Sequence, residues 1–175
     1  MRFRTPSEAL EVYLGCPYLD THAHLTFLRD SAHGDVLEIG TYTGISTAAL
    51  LAGVELRGGH VYSVDVSPGA AFAWHQHPQW TFTCAYSNAR QTIDAKIPAL
   101  FDLVFVDGGH NYQDVHYDLF HYGGRLKSGG MLLAHDTNIS FFPGVKQAAK
   151  EFAGSTGWPV EWREASCGLA VFKKP

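Results

Sequence analysis

Short apolar, β-prone runs recur along the chain and alternate with stretches whose apolar residues fall at helical spacing. The runs are Val36–Ile39, Val61–Val64, Thr81–Ala85, Leu103–Val106 and Met131–Ala134. Between them, Ser46–Leu56, Ala70–His75, Asn88–Lys96 and Tyr112–Leu126 are compatible with helices. In Gly144–Phe152 the residues Val145, Ala148, Ala149 and Phe152 share one helical face. Near-continuous apolar strands separated by helices predict a parallel sheet covered on both sides. The end of the chain breaks this rhythm. Val160–Glu164 and Leu169–Phe172, joined by Ala165-Ser166-Cys167-Gly168, predict a terminal hairpin. Ser7–Leu14 and Thr21–Ala32 form a helical lead-in. The expectation is an α/β, doubly wound, mostly parallel seven-stranded sheet with a C-terminal antiparallel hairpin. It forms one domain over 1–175, with the lead-in at 1–33 and the core at 34–175.

Composition narrows the class without choosing the chemistry. The 175 residues suffice for a buried core without disulfides. Cys16, Cys84 and Cys167 show no paired spacing, which points away from a disulfide framework or zinc knuckle and toward a reducing cytoplasm. No apolar run is long enough to span a bilayer, and Met1–Pro6 lacks the apolar stretch of a signal peptide. A formal net charge of −4, with no dense Lys/Arg patch, points away from nucleic acid and membrane surfaces.

The first strand carries the leading motif, Glu38-Ile39-Gly40-Thr41-Tyr42-Thr43-Gly44, followed by Ile45-Ser46-Thr47 and an Ala/Leu-rich helix. Glycines there permit a tight turn and close backbone approach, and the helix N-terminus favours negative charge. A carboxylate in that turn would repel a pyrophosphate but suits a cationic ligand. Such a turn therefore points to S-adenosylmethionine before NAD.

Ligands of open α/β sheets bind beyond the carboxyl ends of the strands. The second strand ends in Asp65, which either accepts from ribose hydroxyls or caps the segment before Ser67-Pro68. The third leads to Ser87, placed to cap a helix or contact a base. The fourth ends in Asp107-Gly108-Gly109-His110, the fifth in His135-Asp136. If those two strands are close, two carboxylates and an imidazole converge at one mouth. Oxygen-rich ligation suits Mg²⁺, and added nitrogen widens the choice to Mn²⁺, Fe²⁺ or Zn²⁺. Beside Asp107, His110 is a candidate general base.

Taken in order, these motifs resemble the class I S-adenosylmethionine-dependent methyltransferases. The similarity is to a bacterial O-methyltransferase-like group that contains cephalosporin-hydroxylase-type and macrolide-sugar enzymes, and more distantly to catechol O-methyltransferase. It runs from His24–Leu28 through Val36–Thr47, Val61–Asp65, Phe101–Asp118 and Gly129–Asp136 to Cys167–Val171. The resemblance implies a Rossmann-like fold in which Glu38, Gly40, Thr41, Tyr42, Gly44 and Ser46 wrap the methionine part of the cofactor. Asp65 would hold the ribose, Ser87 would lie near the adenine, and Asp107 would touch both cofactor and metal. Asp107, His135 and Asp136 match the metal-ligand positions, with His135 standing where relatives often carry glutamate and Thr137 where catechol-type enzymes carry asparagine. His110 falls at the position of a catalytic lysine or histidine. The implied acceptor is a small molecule, and the resemblance allows a homo-oligomer.

Methyl transfer to oxygen also needs proton removal. Histidine near pKa ~6.5 faces a phenol near ~10, a gap of roughly 5 kcal/mol, which a divalent cation on that oxygen would narrow. Metal-assisted O-methylation with His110 as base is the expectation. Two alternatives stay open: an Fe²⁺ hydroxylase using Asp107, His110 and His135, and a non-catalytic protein that holds S-adenosylmethionine. His22-Ala23-His24 imitates an amidohydrolase metal pair but sits in a helical lead-in, so packing or a place at the acceptor site suits His24 better. His75–Pro78 reads as a solvated loop, and Trp74, Trp80, Trp158 and Trp162 as packing residues.

Overall fold

The structure, a computed structural model, describes residues 5–16, 22–72 and 74–175. Two lead-in helices, α1 (Pro6–Leu14) and α2 (His22–Ser31), precede strand β1 (Gly34–Ile39). Then follow α3 (Ile45–Arg57), β2 (Gly59–Asp65), a 3₁₀ turn (Pro68–Phe72), β3 (Trp80–Cys84) and α4 (Arg90–Asp94). The rest comprises β4 (Phe101–Val106), α5 (Tyr112–Gly123), β5 (Leu126–His135), α6 (Pro143–Thr156), β6 (Val160–Arg163) and β7 (Leu169–Lys173). The strands form one sheet in the order β3-β2-β1-β4-β5-β7-β6. All pairs are parallel except β5 with β7 and β6 with β7. This is the expected doubly wound sheet with its terminal hairpin. Among the described residues no helix is long and apolar enough to cross a membrane.

Strand pleat divides the core between the two faces. Val36, Leu103 and Phe105 pack with Leu25, Leu28, Leu50 and Leu51 on the side of α1, α2 and α3. Leu37, Ile39, Val104 and Val106 pack with Leu119, Ala149 and Phe152 on the side of α5 and α6. Alternate residues of one strand point to opposite faces, which is why the central strands read as unbroken apolar runs.

Some boundaries differ from the sequence reading. The expected helix Ala70–His75 is a 3₁₀ turn over Pro68–Phe72, where Pro68 and Gly69 favour a tight turn, and residue 73 lies outside the described residues. Asn88–Lys96 yields only α4, because Pro98 and the preceding turn leave little room for a longer helix. α5 stops at Gly123, and β5 begins at Leu126 rather than Met131. Its pairing with β4 slips between Phe101↔Leu126 and Leu103↔Met131, an irregularity that Gly129, at φ +77°, accommodates.

Register prepares the site. Ile39 is paired with both Val64 and Val106, and Val106 with Ala134. The next residues along those strands, Gly40, Asp65, Asp107 and His135, therefore stand along one sheet edge. The strand order reverses between β1 and β4, and a crevice opens there in such sheets.

Candidate active site

The turn after β1 closes against the loop after β4. Gly40 has φ +95°, and a Cβ at this position would lie 2.0 Å from the Asp107 carbonyl oxygen. The close approach that Gly40 permits is thus to the backbone of Asp107. Asp65 clamps the same turn from the other side: its Oδ2 accepts from the backbone N–H of Thr41 and of Tyr42, both at 2.8 Å. Its Oδ1 accepts from Ser67 N–H at 2.7 Å. Asp65 therefore holds the turn and the following loop together, while also lining the groove described below. Gly44, in the left-handed region, stands just before helix α3 as its N-cap and supplies no side-chain cap to the first amides.

Glu38 lies beneath the turn and does not line the groove. Pleat parity puts it on the α3 face with Val36, where it is fully buried. Ser46 donates to Oε1 at 2.7 Å, and Thr47 and Ser63 donate to Oε2 at 2.8 and 2.6 Å. Trp80 Nε1–H donates in turn to Ser63 Oγ at 2.8 Å. Burial pushes the Glu38 carboxyl up to about 7, against the lowering by Ser63, Ser46 and Thr47 and with a further rise from Asp107. Ser46 likewise spends its hydroxyl on Glu38. Glu38, expected among the residues that wrap the cofactor, shapes the turn from inside through these bonds.

Two hollows meet at Gly40, Tyr42 and Asp107. The larger, about 710 Å³, runs past Asp65 and Ser87 to His110. The smaller, about 200 Å³, passes Thr41 and Ser46 to His24 and His135. Tyr42 and Tyr86 are 84% and 72% exposed and stand at the mouth of the larger one. Behind Ser87, the carbonyl accepts from Tyr122 Oη at 2.5 Å.

At the far wall, strands β4 and β5 deliver four titratable groups. His110 Nε2 lies 2.7 Å from Asp136 Oδ2. His135 Nδ1 lies 3.0 Å from Asp136 Oδ1 and 3.2 Å from Asp107 Oδ1, yet it makes an aligned hydrogen bond to neither. Asp107, His110 and Asp136 each bring a ligand atom within 4.8 Å of the others. The expected ligand set named His135 in place of His110; in the structure both imidazoles border the two carboxylates. Asp136 is held at φ +61° by the turn that follows β5.

The electrostatics follow from crowding. Burial opposes charge on His135, but the adjoining Asp107 and Asp136 outweigh it and push the imidazole up to about 10. His110 is raised chiefly by its contact with Asp136, against the effect of burial. Burial alone would raise Asp136, but His110 and His135 hold it well below the usual carboxylate range. His24 is lowered to about 4, first by burial and then by the positive His135 and Arg163.

Two contacts at this wall were not legible along the chain. Phe142 stacks on His110, with ring centroids 4.2 Å apart and an interplanar angle of 16°. The position of Phe141-Phe142 after the fifth strand was the available signal, but only the fold shows that Phe142 faces inward while Phe141 is 88% exposed. Also, His24 Nδ1 lies 3.1 Å from His135 Nε2, so α2 reaches the site edge. The tryptophans pack as expected, Trp74 donating to the Gly44 carbonyl. His77 departs from a purely solvated loop, lying 3.1 Å from Glu55.

A family model described as a methyltransferase domain matches residues 37–137, from β1 to the turn after β5. An O-methyltransferase, ankF of Aspergillus thermomutatus, is 28% identical over 131 residues, covering 71% of this chain and 54% of that protein. The chain thus spans about half the length of this curated relative. The fold is shared with an O-methyltransferase from Bacillus cereus solved with SAH, at TM-score 0.69 and 18% identity, covering 100% of this chain and 92% of that one. It is shared also with the MycE methyltransferase of the mycinamycin pathway, solved with Mg, SAH and mycinamycin VI. There the TM-score is 0.68 and the identity 17%, over 99% of this chain and 54% of that one.

Proposed function

The chain belongs to the methyltransferase-domain family, and from this we propose that it transfers a methyl group from S-adenosylmethionine to a hydroxyl of a small-molecule acceptor, with help from a divalent cation. The observation that carries the proposal is the meeting of two different walls at Asp107. One is the glycine turn with Asp65, the other the Asp107–His110–Asp136 cluster. The cofactor lies along the larger hollow, its ribose at Asp65 and its base toward Ser87. Its methionine end faces Thr41, Ser46 and the uncapped start of α3, whose amides favour a carboxylate.

In the transfer, the acceptor oxygen attacks the sulfonium methyl carbon in line with the departing sulfur. The carbon–sulfur bond breaks, and its electron pair stays on sulfur to leave a neutral thioether. The enzyme contributes chiefly by positioning the two reactants. The acceptor proton passes to His110. With Nε2–H directed to Asp136, Nδ1 is the lone-pair nitrogen that receives it, and Asp136 stabilises the imidazolium that results. Phe142 keeps the ring plane from turning.

A divalent cation suits the same wall. Ligands at neighbouring corners of an octahedron with bonds near 2.1 Å stand about 3 Å apart. His135 Nδ1 stands 3.0 and 3.2 Å from the two carboxylate oxygens and is buried without an aligned partner. Asp107, His135 and Asp136 would hold the ion, and when bound it would lower the pKa of the acceptor hydroxyl. Asp136 serves both roles, Oδ1 toward His135 and Oδ2 toward His110. An Fe²⁺ oxygenase or a mere binding protein leaves the pairing of cofactor groove and base unexplained.

The test is transfer of labelled methyl from S-adenosylmethionine to catechol and vicinal-diol acceptors, with and without EDTA, in wild type and His110→Ala. Loss of transfer in both arms supports the proposal. Undiminished transfer in both would remove metal and base but leave the cofactor assignment.

A further inference from the structure

We infer that His24 fixes His135 as a ligand through Nδ1, and that this nitrogen makes the site select an imidazole-preferring divalent cation over Mg²⁺. The inference rests on the metal-assisted reading above.

His135 cannot adjust freely. Its ring meets the buried Phe105 at a centroid distance of 6.0 Å on one side and the His24 ring edge-on at 5.1 Å and 89° on another. His24 is 2% exposed on α2, whose neighbours Leu25 and Leu28 are built into the core. The hairpin ties down the same helix, Arg163 lying 3.8 Å over the Phe27 ring. The lead-in helix therefore presents Nδ1 of His24 to Nε2 of His135 as part of the packed fold, at 3.1 Å.

Two imidazole nitrogens at that distance share one hydrogen. If His24 supplied it, His135 Nδ1 would have to donate to the carboxylates, and its N–H is aligned with neither. If His135 Nε2–H donates instead to His24 Nδ1, then His135 Nδ1 presents a lone pair to two carboxylate oxygens 3.0 and 3.2 Å away. Three acceptors so placed repel one another unless a proton or a metal ion lies between them. A hydrogen bond from the far nitrogen of a ligating histidine fixes tautomer and ring orientation, and loss of such a partner typically costs 10–100-fold in metal affinity. Mg²⁺ prefers oxygen ligands and retains waters, whereas imidazole nitrogen favours Fe²⁺, Co²⁺, Ni²⁺ and Zn²⁺.

The experiment uses the full chain stripped of metal, Co²⁺ as a probe visible in its d–d absorption, and Mg²⁺ followed by calorimetry. Co²⁺ is expected to bind at least about 10-fold more tightly than Mg²⁺. His135→Glu should shrink that preference. His24→Leu should weaken Co²⁺ binding about 10- to 100-fold, and His24→Gln, whose amide oxygen still accepts from Nε2–H, should recover most of it. Thermal melts check folding, and S-adenosylhomocysteine affinity is measured in each variant. Equal affinity for Co²⁺ and Mg²⁺, or Co²⁺ binding unmoved in His24→Leu, overturns the inference while the metal-assisted reading stands. Binding of S-adenosylhomocysteine with no cation bound at all removes both.

Discussion

His110 and Asp136 come from loops after different strands, yet Nε2 and Oδ2 lie 2.7 Å apart. Parallel pairing of β4 with β5 produces this, because it aligns Val106 with Ala134 and brings the two loops out side by side. Replacing Asp136 by Asn removes the charge that supports the His110 imidazolium. The expected result is a fall in kcat of at least about 10²-fold, with S-adenosylhomocysteine affinity changed by no more than a few-fold. Steady-state kinetics beside calorimetry check it; equal losses in kcat and cofactor binding would show that Asp136 only holds the fold.

Asp65 offers the opposite split. Its carboxylate accepts three backbone N–H bonds, two of them from the glycine turn. Charge-assisted bonds of this kind are worth roughly 1.5–3 kcal/mol each. Asp65→Asn should weaken S-adenosylhomocysteine binding roughly 10- to 100-fold, while kcat at saturating cofactor stays near wild type. Calorimetry with the product cofactor is the direct measure.

Gly40 and Gly58 form a controlled pair. Both have positive φ, +95° and +82°, but an added Cβ meets the Asp107 carbonyl at 2.0 Å at Gly40 and nothing within 4 Å at Gly58. Gly58→Ala should cost about 2 kcal/mol of stability, from backbone strain alone, because φ +82° with ψ 147° is a conformation essentially confined to glycine. Gly40→Ala should cost on the order of 3 kcal/mol and also disturb cofactor binding, since the turn must move away from Asp107. Urea denaturation of both variants separates strain from collision.

Glu38 makes stability depend on pH. Its carboxyl is raised to about 7 in the folded chain from an ordinary value near 4.5, first by burial. Between those values the folded state holds a proton that the unfolded state has released, so stability falls as pH rises through that window. Above about pH 7 the loss is complete, on the order of 3 kcal/mol. Glu38→Gln has no such proton to lose. The stability of wild type relative to Glu38→Gln should therefore decline from pH 4.5 to pH 7 and level off above it. Denaturation curves at pH 5 and pH 7.5 decide the matter; a difference that does not change with pH would refute it.

Much of the candidate site was legible along the chain because strand ends announce themselves. Asp65, Asp107 and His135-Asp136 each follow an apolar run, and parallel register then places them on one edge. Glu38 shows where local reading stops. Its spacing from Gly40 marks the turn, but which face it takes depends on pleat parity against the rest of the sheet. That parity puts it under Ser46, Thr47 and Ser63. His24 shows the limit of local reading most clearly, being separated from His135 by more than a hundred residues and joined to it only by the packing of α2 on α3.

By itself the sequence determined the alternation of strands and helices, the glycine turn and the acids and imidazoles that end the strands. These depend on hydrophobic period and local backbone chemistry, which act over a few residues. Tertiary structure alone decided that Glu38 supports the turn from below, that Phe142 lies against His110, and that both imidazoles border the same two carboxylates. Such contacts are set by register, pleat and helix docking, which join residues far apart in the chain and leave no periodic trace along it.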